Sequence, residues 1–233
     1  MKIAVLGNSH SICIKQGWDR LRSQLDGVEM TFFASEGASL DGLRCEAGAL
    51  VATNARLQEA LQYSSGGISE IVAESYDVFL ICGLGRAFPR VPPHLSSTVR
   101  SLCLQDWAEA SLIAQISAML RTLTEAPVFA IHVPAAAAGF SRPDAPVAVS
   151  YNERFQQAAI AFDRIGVCLL PQPASTLEQN GFTKPEFAVG STRWTAFSDK
   201  PPKFYPATDI VHMNANFGEI VMRAFFARLG IGM

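Results

Sequence analysis

Residues 3–6 of this chain, Ile3-Ala4-Val5-Leu6, are apolar or small without interruption and run into Gly7-Asn8-Ser9-His10-Ser11. So short an apolar run closed by a glycine reads as a strand covered on both faces, as in a parallel sheet with helices above and below. Residues 12–25 read as the helix that follows. Ser9 is thereby expected where a strand ends and a helix begins. In open α/β sheets this carboxyl edge is where ligands bind. Backbone N–H groups and the positive end of the helix dipole face whatever lies there.

The rest of the chain repeats the alternation. Further strands are expected over residues 28–34, 76–82, 127–133 and 166–170, and helices over 46–63, 68–74, 102–123, 152–165 and 215–229. In the long fourth helix, counting the one at 12–25 first, Leu112, Ile116, Met119 and Leu123 form the buried stripe. Residues 35–43 and 134–146 are loops of small residues, and Pro89, Pro92 and Pro93 make 86–95 irregular. Residues 171–205 carry little periodicity, and a stretch of that length is expected to be a functional surface. Five strands alternating with helices predict a three-layer α/β/α sandwich on a five-stranded parallel sheet, with residues 1–233 as one domain.

Composition removes several classes of function. The net charge is −2 and no basic run exceeds two residues, which argues against nucleic acid as a partner. No apolar run approaches the ~20 residues of a membrane helix, and Gly7-Asn8 interrupts the N-terminal run before it could serve as a signal-peptide core. Cys13, Cys45, Cys82, Cys103 and Cys168 are odd in number and form no Cys-x-x-Cys pair, so free thiols and a cytoplasmic location are expected. Charged residues make up 17%, below the usual ~25%, which leaves apolar surface for a possible homo-oligomer.

Near the other end lies Asp209-Ile210-Val211-His212. A serine hydroxyl becomes a useful nucleophile when a base takes its proton. Histidine has a suitable pKa, and a carboxylate fixes the imidazole tautomer and stabilises the imidazolium. Ser9, His212 and Asp209 are the candidate set.

Gly7-Asn8-Ser9, Gly37-Ala38-Ser39-Leu40 and Asp209-x-x-His212 together resemble, in order and spacing, the blocks of the SGNH (GDSL-type) hydrolases. The resemblance implies a flavodoxin-like strand order 2-1-3-4-5. It also implies Ser9 as nucleophile, His212 as base, Asp209 as its partner, and backbone N–H groups of Ser9 and Gly37 as oxyanion donors. It further implies an ester substrate, such as an acyl (acetyl) group on a carbohydrate, with no cofactor. The chain departs from the family at one block, where Gly83-Leu84-Gly85-Arg86 stands in place of Gly-x-Asn-Asp. The asparagine that would donate to the oxyanion is missing. The N–H near Gly85 or the Arg86 guanidinium is expected to stand in, or catalysis is weak or lost. The alternatives are thus an SGNH-fold glycan-binding protein, or an acyltransferase using the same residues.

Other readings stand beside these. Ser9 and Ser11 are both preferred helix N-caps. Gly37 serves equally as a turn glycine. Asn8, His10 and Arg86 are assigned to the substrate side, although Asn8 is also suited to hold the turn and Arg86 to be a solvated loop residue. His10 is expected as a support or substrate contact, His132 as a hydrogen-bonded core histidine and His94 as surface. Trp194 is expected at a core edge or as a sugar platform. His10, Asp209 and His212 lack the spacing of a helical metal site, so no metal is expected. Gly83-x-Gly85 is not a dinucleotide loop, because Phe88 occupies the third glycine position.

Overall fold

The computed structural model describes residues 1–37, 39–85, 88–89, 91–92, 94–137, 151–193, 197, 201 and 203–232. Arg86, Trp194 and most of the expected loop 134–146 lie outside the described residues.

The chain opens with β1 (Lys2–Gly7), α1 (Ser11–Leu21) and β2 (Glu29–Ala34). It continues through β3 (Leu43–Glu46), β4 (Ala49–Ala52), α2 (Ala55–Ser65), β5 (Glu70–Val72) and β6 (Val78–Cys82). Then come α3 (Ser97–Glu109), α4 (Leu112–Arg121), β7 (Val128–Ile131), α5 (Tyr151–Asp163), β8 (Val167–Leu170) and α6 (Ala215–Arg228).

The main sheet has five strands in the order β2-β1-β6-β7-β8, every pairing parallel. Counted among these five strands alone, the order is second, first, third, fourth, fifth, as expected. The α/β class follows directly from the residues of the central strands. Side chains alternate across a strand, and both faces of β1 are covered. Ile3 and Val5 pack with Trp18, Leu21, Phe217 and Val221 of α1 and α6. Ala4 and Leu6 pack with Leu57, Ile113, Ile116 and Phe162 from the helices of the other layer.

A second sheet was not expected. Strands β3, β4 and β5 form a three-stranded antiparallel sheet. The helix expected over 46–63 therefore begins at Ala55, with Asn54 accepting from the Leu57 N–H at 2.9 Å, and the short helix expected over 68–74 is β5 followed by a 3-10 turn. The single helix expected over 102–123 is two. Ser111 breaks it by capping the N–H of Ala114 and donating its own hydroxyl to the carbonyl of Ala108.

Helices α1 and α6 cross in direct backbone contact at two glycines. A Cβ added to Gly218 would lie 1.7 Å from the Cys13 carbonyl oxygen, and one added to Gly17 would lie 2.3 Å from the Gly218 carbonyl carbon. Only glycine permits this approach. It matters for function because α1 follows Ser9 and α6 follows His212.

All five cysteines are free; Cys13 and Cys82 are buried, while Cys168 is half-buried. No helix among the described residues is long and apolar enough to cross a membrane.

Candidate active site

Gly7 ends β1 with its neighbours pressed around it; an added Cβ would lie 2.8 Å from the Ser11 Cβ and 3.0 Å from the Cys82 carbonyl oxygen. The chain then turns over the edge of the sheet. Asn8 braces the turn from both ends of its side chain. Its amide donates to the Gly83 carbonyl at 2.6 Å, and its oxygen accepts from the His10 N–H at 3.0 Å. Asn8 thus ties the end of β1 to the end of β6, the holding role its side chain suits. Gly83 has φ of +70°, and an added Cβ there would lie 2.5 Å from the Asn8 oxygen.

Ser9 does not cap α1. The N-cap residue is His10, whose side chain makes no capping bond, and the Ser11 hydroxyl donates back to the Asn8 carbonyl at 2.7 Å. The Ser9 hydroxyl is directed instead to His212, with Oγ 3.0 Å from Nε2. On the far side of that ring, Nδ1 lies 3.0 Å from Oδ2 of Asp209. The other Asp209 oxygen accepts from the N–H of Val211 at 2.9 Å and of His212 at 2.8 Å. One carboxylate therefore closes its own turn and orients the imidazole within it. Burial alone would raise the Asp209 carboxyl, but bonds from the His212 N–H, the His212 ring and the Val211 N–H outweigh it and hold the carboxyl below its ordinary value. With Asp209 ionised at Nδ1–H, Nε2 is the free lone pair that faces Ser9.

The next residue but one, Asn214, anchors this turn. It caps α6 by accepting from Asn216 and Phe217, and its amide donates to the carbonyls of Glu186 and Val189, each at 2.8 Å. It makes no bond to His212.

The His212 ring stacks with two others. Tyr205 lies flat against one face, with centroids 3.8 Å apart and planes 5° apart. His10 stacks on His212 at 5.2 Å and 18°. Sequence reasoning missed Tyr205. It sits in the aperiodic stretch, held by a short antiparallel pairing in which the Arg193 N–H donates to Lys203 and the Tyr205 N–H to Ser191. The Arg193 guanidinium lies over the Tyr205 ring, 5.2 Å from its centre. Burial first, then Asp209 and Glu36, raise the Tyr205 phenol above its ordinary value against Arg193 and Ser9. His10 is pushed down to about 4, by burial first and then by His212 and His132, against the opposing effect of Asp209. Its ring is neutral near neutral pH, and its Nδ1 is buried without a hydrogen-bond partner among the described residues.

The remaining expected residues fall around this centre. Gly37 is exposed, with φ of +64° and open space at its missing Cβ. Gly85 follows β6 against His132, whose ring an added Cβ would approach to 3.0 Å. The backbone N–H groups of Ser9, Gly37 and Gly85 donate to no group among the described residues. His132 is buried at the end of β7 and stacks on Phe88 at 4.2 Å, while His94 is exposed. Among the described residues no group of three or more His, Cys, Asp or Glu side chains is arranged to hold a metal ion. An apolar hollow of about 770 Å³ lies elsewhere, between α5, β8 and α6. Ser9, Asp209 and His212 are each half-buried, so their row opens at the surface.

No family model matches the chain, and no curated protein matches it significantly. The architecture is a three-layer α/β fold on a parallel sheet.

Proposed function

We propose that this chain is a serine ester hydrolase of the SGNH type that removes acyl groups from a carbohydrate or another small ester. The observation that carries the reading is the unbroken row Ser9 Oγ, His212 Nε2, His212 Nδ1, Asp209 Oδ2, with 3.0 Å at each hydrogen bond. A hydroxyl, an imidazole and a carboxylate in that order form a proton-transfer relay, and they stand at the carboxyl edge of a parallel sheet.

In this mechanism Ser9 Oγ bonds to the ester carbonyl carbon while its proton passes to Nε2 of His212. Asp209 stabilises the imidazolium. The tetrahedral intermediate collapses, the bond to the leaving oxygen breaks, and the departing alcohol takes the proton from Nε2. Water then attacks the acyl-serine and gives a proton to Nε2; that proton returns to Ser9 as the acid leaves. The unengaged N–H groups of Ser9 and Gly37, with that of Gly85, are suited to receive the oxyanion. No cofactor enters the sequence. A sugar hydroxyl in place of water would make the same residues an acyltransferase.

The test is covalent labelling. A fluorophosphonate is expected to modify the protein at Ser9, and Ser9→Ala is expected to abolish labelling and turnover of short-chain acyl esters while the protein stays folded. A folded wild type that neither labels nor turns over any ester would instead indicate a binding protein on a hydrolase scaffold.

A further inference from the structure

We infer that the Tyr205 ring, lying face to face with the His212 imidazole, stabilises the positive charge that His212 takes on when it accepts the Ser9 proton. This assignment rests on the hydrolase reading above. It makes Tyr205 a positioning residue, one that acts on the reaction through His212.

The geometry is that of a close stack. The two ring centres are 3.8 Å apart and the planes 5° apart, so the π-face of Tyr205 covers the imidazole. The backbone holds the ring there. The Arg193 N–H donates to the Lys203 carbonyl, the Tyr205 N–H donates to the Ser191 carbonyl, and Thr192 pairs with Phe204 between them. The Asp209 N–H then donates to the Pro206 carbonyl at 2.9 Å. The pinned ring, the carboxylate and the imidazole thus belong to one continuous stretch of chain.

An aromatic face carries the negative lobe of the ring quadrupole and attracts a cation within about 6 Å of its centre. A neutral imidazole gains little from that field and an imidazolium gains much more. The attraction therefore grows as the proton leaves Ser9, and an interaction that grows toward the transition state lowers the barrier. The other neighbours of His212 leave this task open. Asp209 meets Nδ1 at one edge of the ring, and Ser9 meets Nε2 at another. His10 stacks at the longer distance of 5.2 Å and is neutral near neutral pH, so it opposes no charge. The Arg193 guanidinium draws on the same Tyr205 ring, but at 5.2 Å against 3.8 Å, so His212 has the closer hold.

A Tyr205 that merely packs would be indifferent to the electron density of its ring. The experiment measures p-nitrophenyl acetate turnover and melting temperature for the wild type, Ser9→Ala, Tyr205→Leu and Tyr205→Phe. It adds proteins carrying mono-, di- and trifluorinated phenylalanine at position 205, which keep a ring against His212 and drain its π-face step by step. Acylation and deacylation both pass through the imidazolium, so kcat and kcat/KM are expected to fall together. Tyr205→Phe should stay within about threefold of the wild type, and Tyr205→Leu should lose about fivefold to thirtyfold, the range for a cation on a half-buried ring. In the fluorinated series log kcat should fall with each fluorine while melting temperature holds. If the trifluorinated protein is as fast as Tyr205→Phe, the ring is only a wall and this assignment is overturned alone, whether or not Tyr205→Leu folds. If the wild type is no faster than Ser9→Ala, the hydrolase reading and this assignment fall together.

Discussion

Ser9 and His212 are 203 positions apart in the chain, yet Oγ of one lies 3.0 Å from Nε2 of the other. Neither side chain reaches far to do this. Ser9 sits in the turn between β1 and α1, His212 precedes α6, and α1 and α6 lie backbone to backbone through Gly17 and Gly218.

That crossing should be intolerant of any side chain. Gly218→Ala would set a methyl 1.7 Å from the Cys13 carbonyl oxygen, and the helices would have to part. Overpacking of this kind costs about 3 kcal/mol or more, a fall of roughly 6–12 °C in Tm for a chain of this size. Thermal melting checks the stability. Ester turnover should fall further than the population of folded protein does, because parting α1 from α6 also parts Ser9 from His212.

Asp209→Asn separates orientation from folding. Asparagine keeps an oxygen for the Val211 and His212 N–H groups, so the turn survives. It places an NH₂ group against Nδ1, and the imidazole then turns its hydrogen toward Ser9. A loss of about 10³–10⁴ in kcat is expected, the scale of the same change in a serine protease triad, with melting temperature nearly unchanged.

His10 makes stability depend on pH. The unfolded chain binds a proton at this residue near the ordinary 6.5, and the folded chain only near 4. Between those values the unfolded state holds more protons, so acid favours unfolding. This contribution is complete above 6.5, declines as pH falls toward 4, and is constant below that; its span is at most about 3 kcal/mol. Asp209, whose carboxyl is held below its ordinary 3.8, contributes stability that is lost only at still lower pH. Denaturant titrations across this range should show the slope, and His10→Phe, which retains a ring against His212, should flatten it.

Asn8→Ala should loosen the nucleophile without disturbing the relay chemistry itself. The Gly83 carbonyl and the His10 N–H would each lose a partner. A cost of about 1–3 kcal/mol is expected, with a drop in kcat that exceeds any change in KM. Parallel melting and steady-state measurements check both.

Much of this arrangement is legible in the amino-acid order, for identifiable reasons. Ile3 to Leu6 and Val78 to Cys82 are buried on both faces, so they are apolar without interruption and read as strands. Leu50, Leu57 and Leu61 mislead because a strand and a helix share one core, and their spacing imitates a single helical stripe. Ser111 ends a helix inside an apolar pattern that continues past it, and only its capping bonds reveal the break. Ser9, His212 and Asp209 belong to short patterns with meaning at fixed spacing. Tyr205 belongs to none. Its place against His212 comes from a pairing of two irregular segments, which no local periodicity encodes.

The dependence of the site on α6 also has a consequence in time. On the ribosome, Ser9 emerges 203 residues before His212 and waits without it while that length of chain is made. The relay exists only once residues 209–228 have left the exit tunnel and the last helix has docked on the first. Under the proposed hydrolase reading, a nascent chain is silent toward esters until α6 has docked on α1, and the onset of turnover reports that docking.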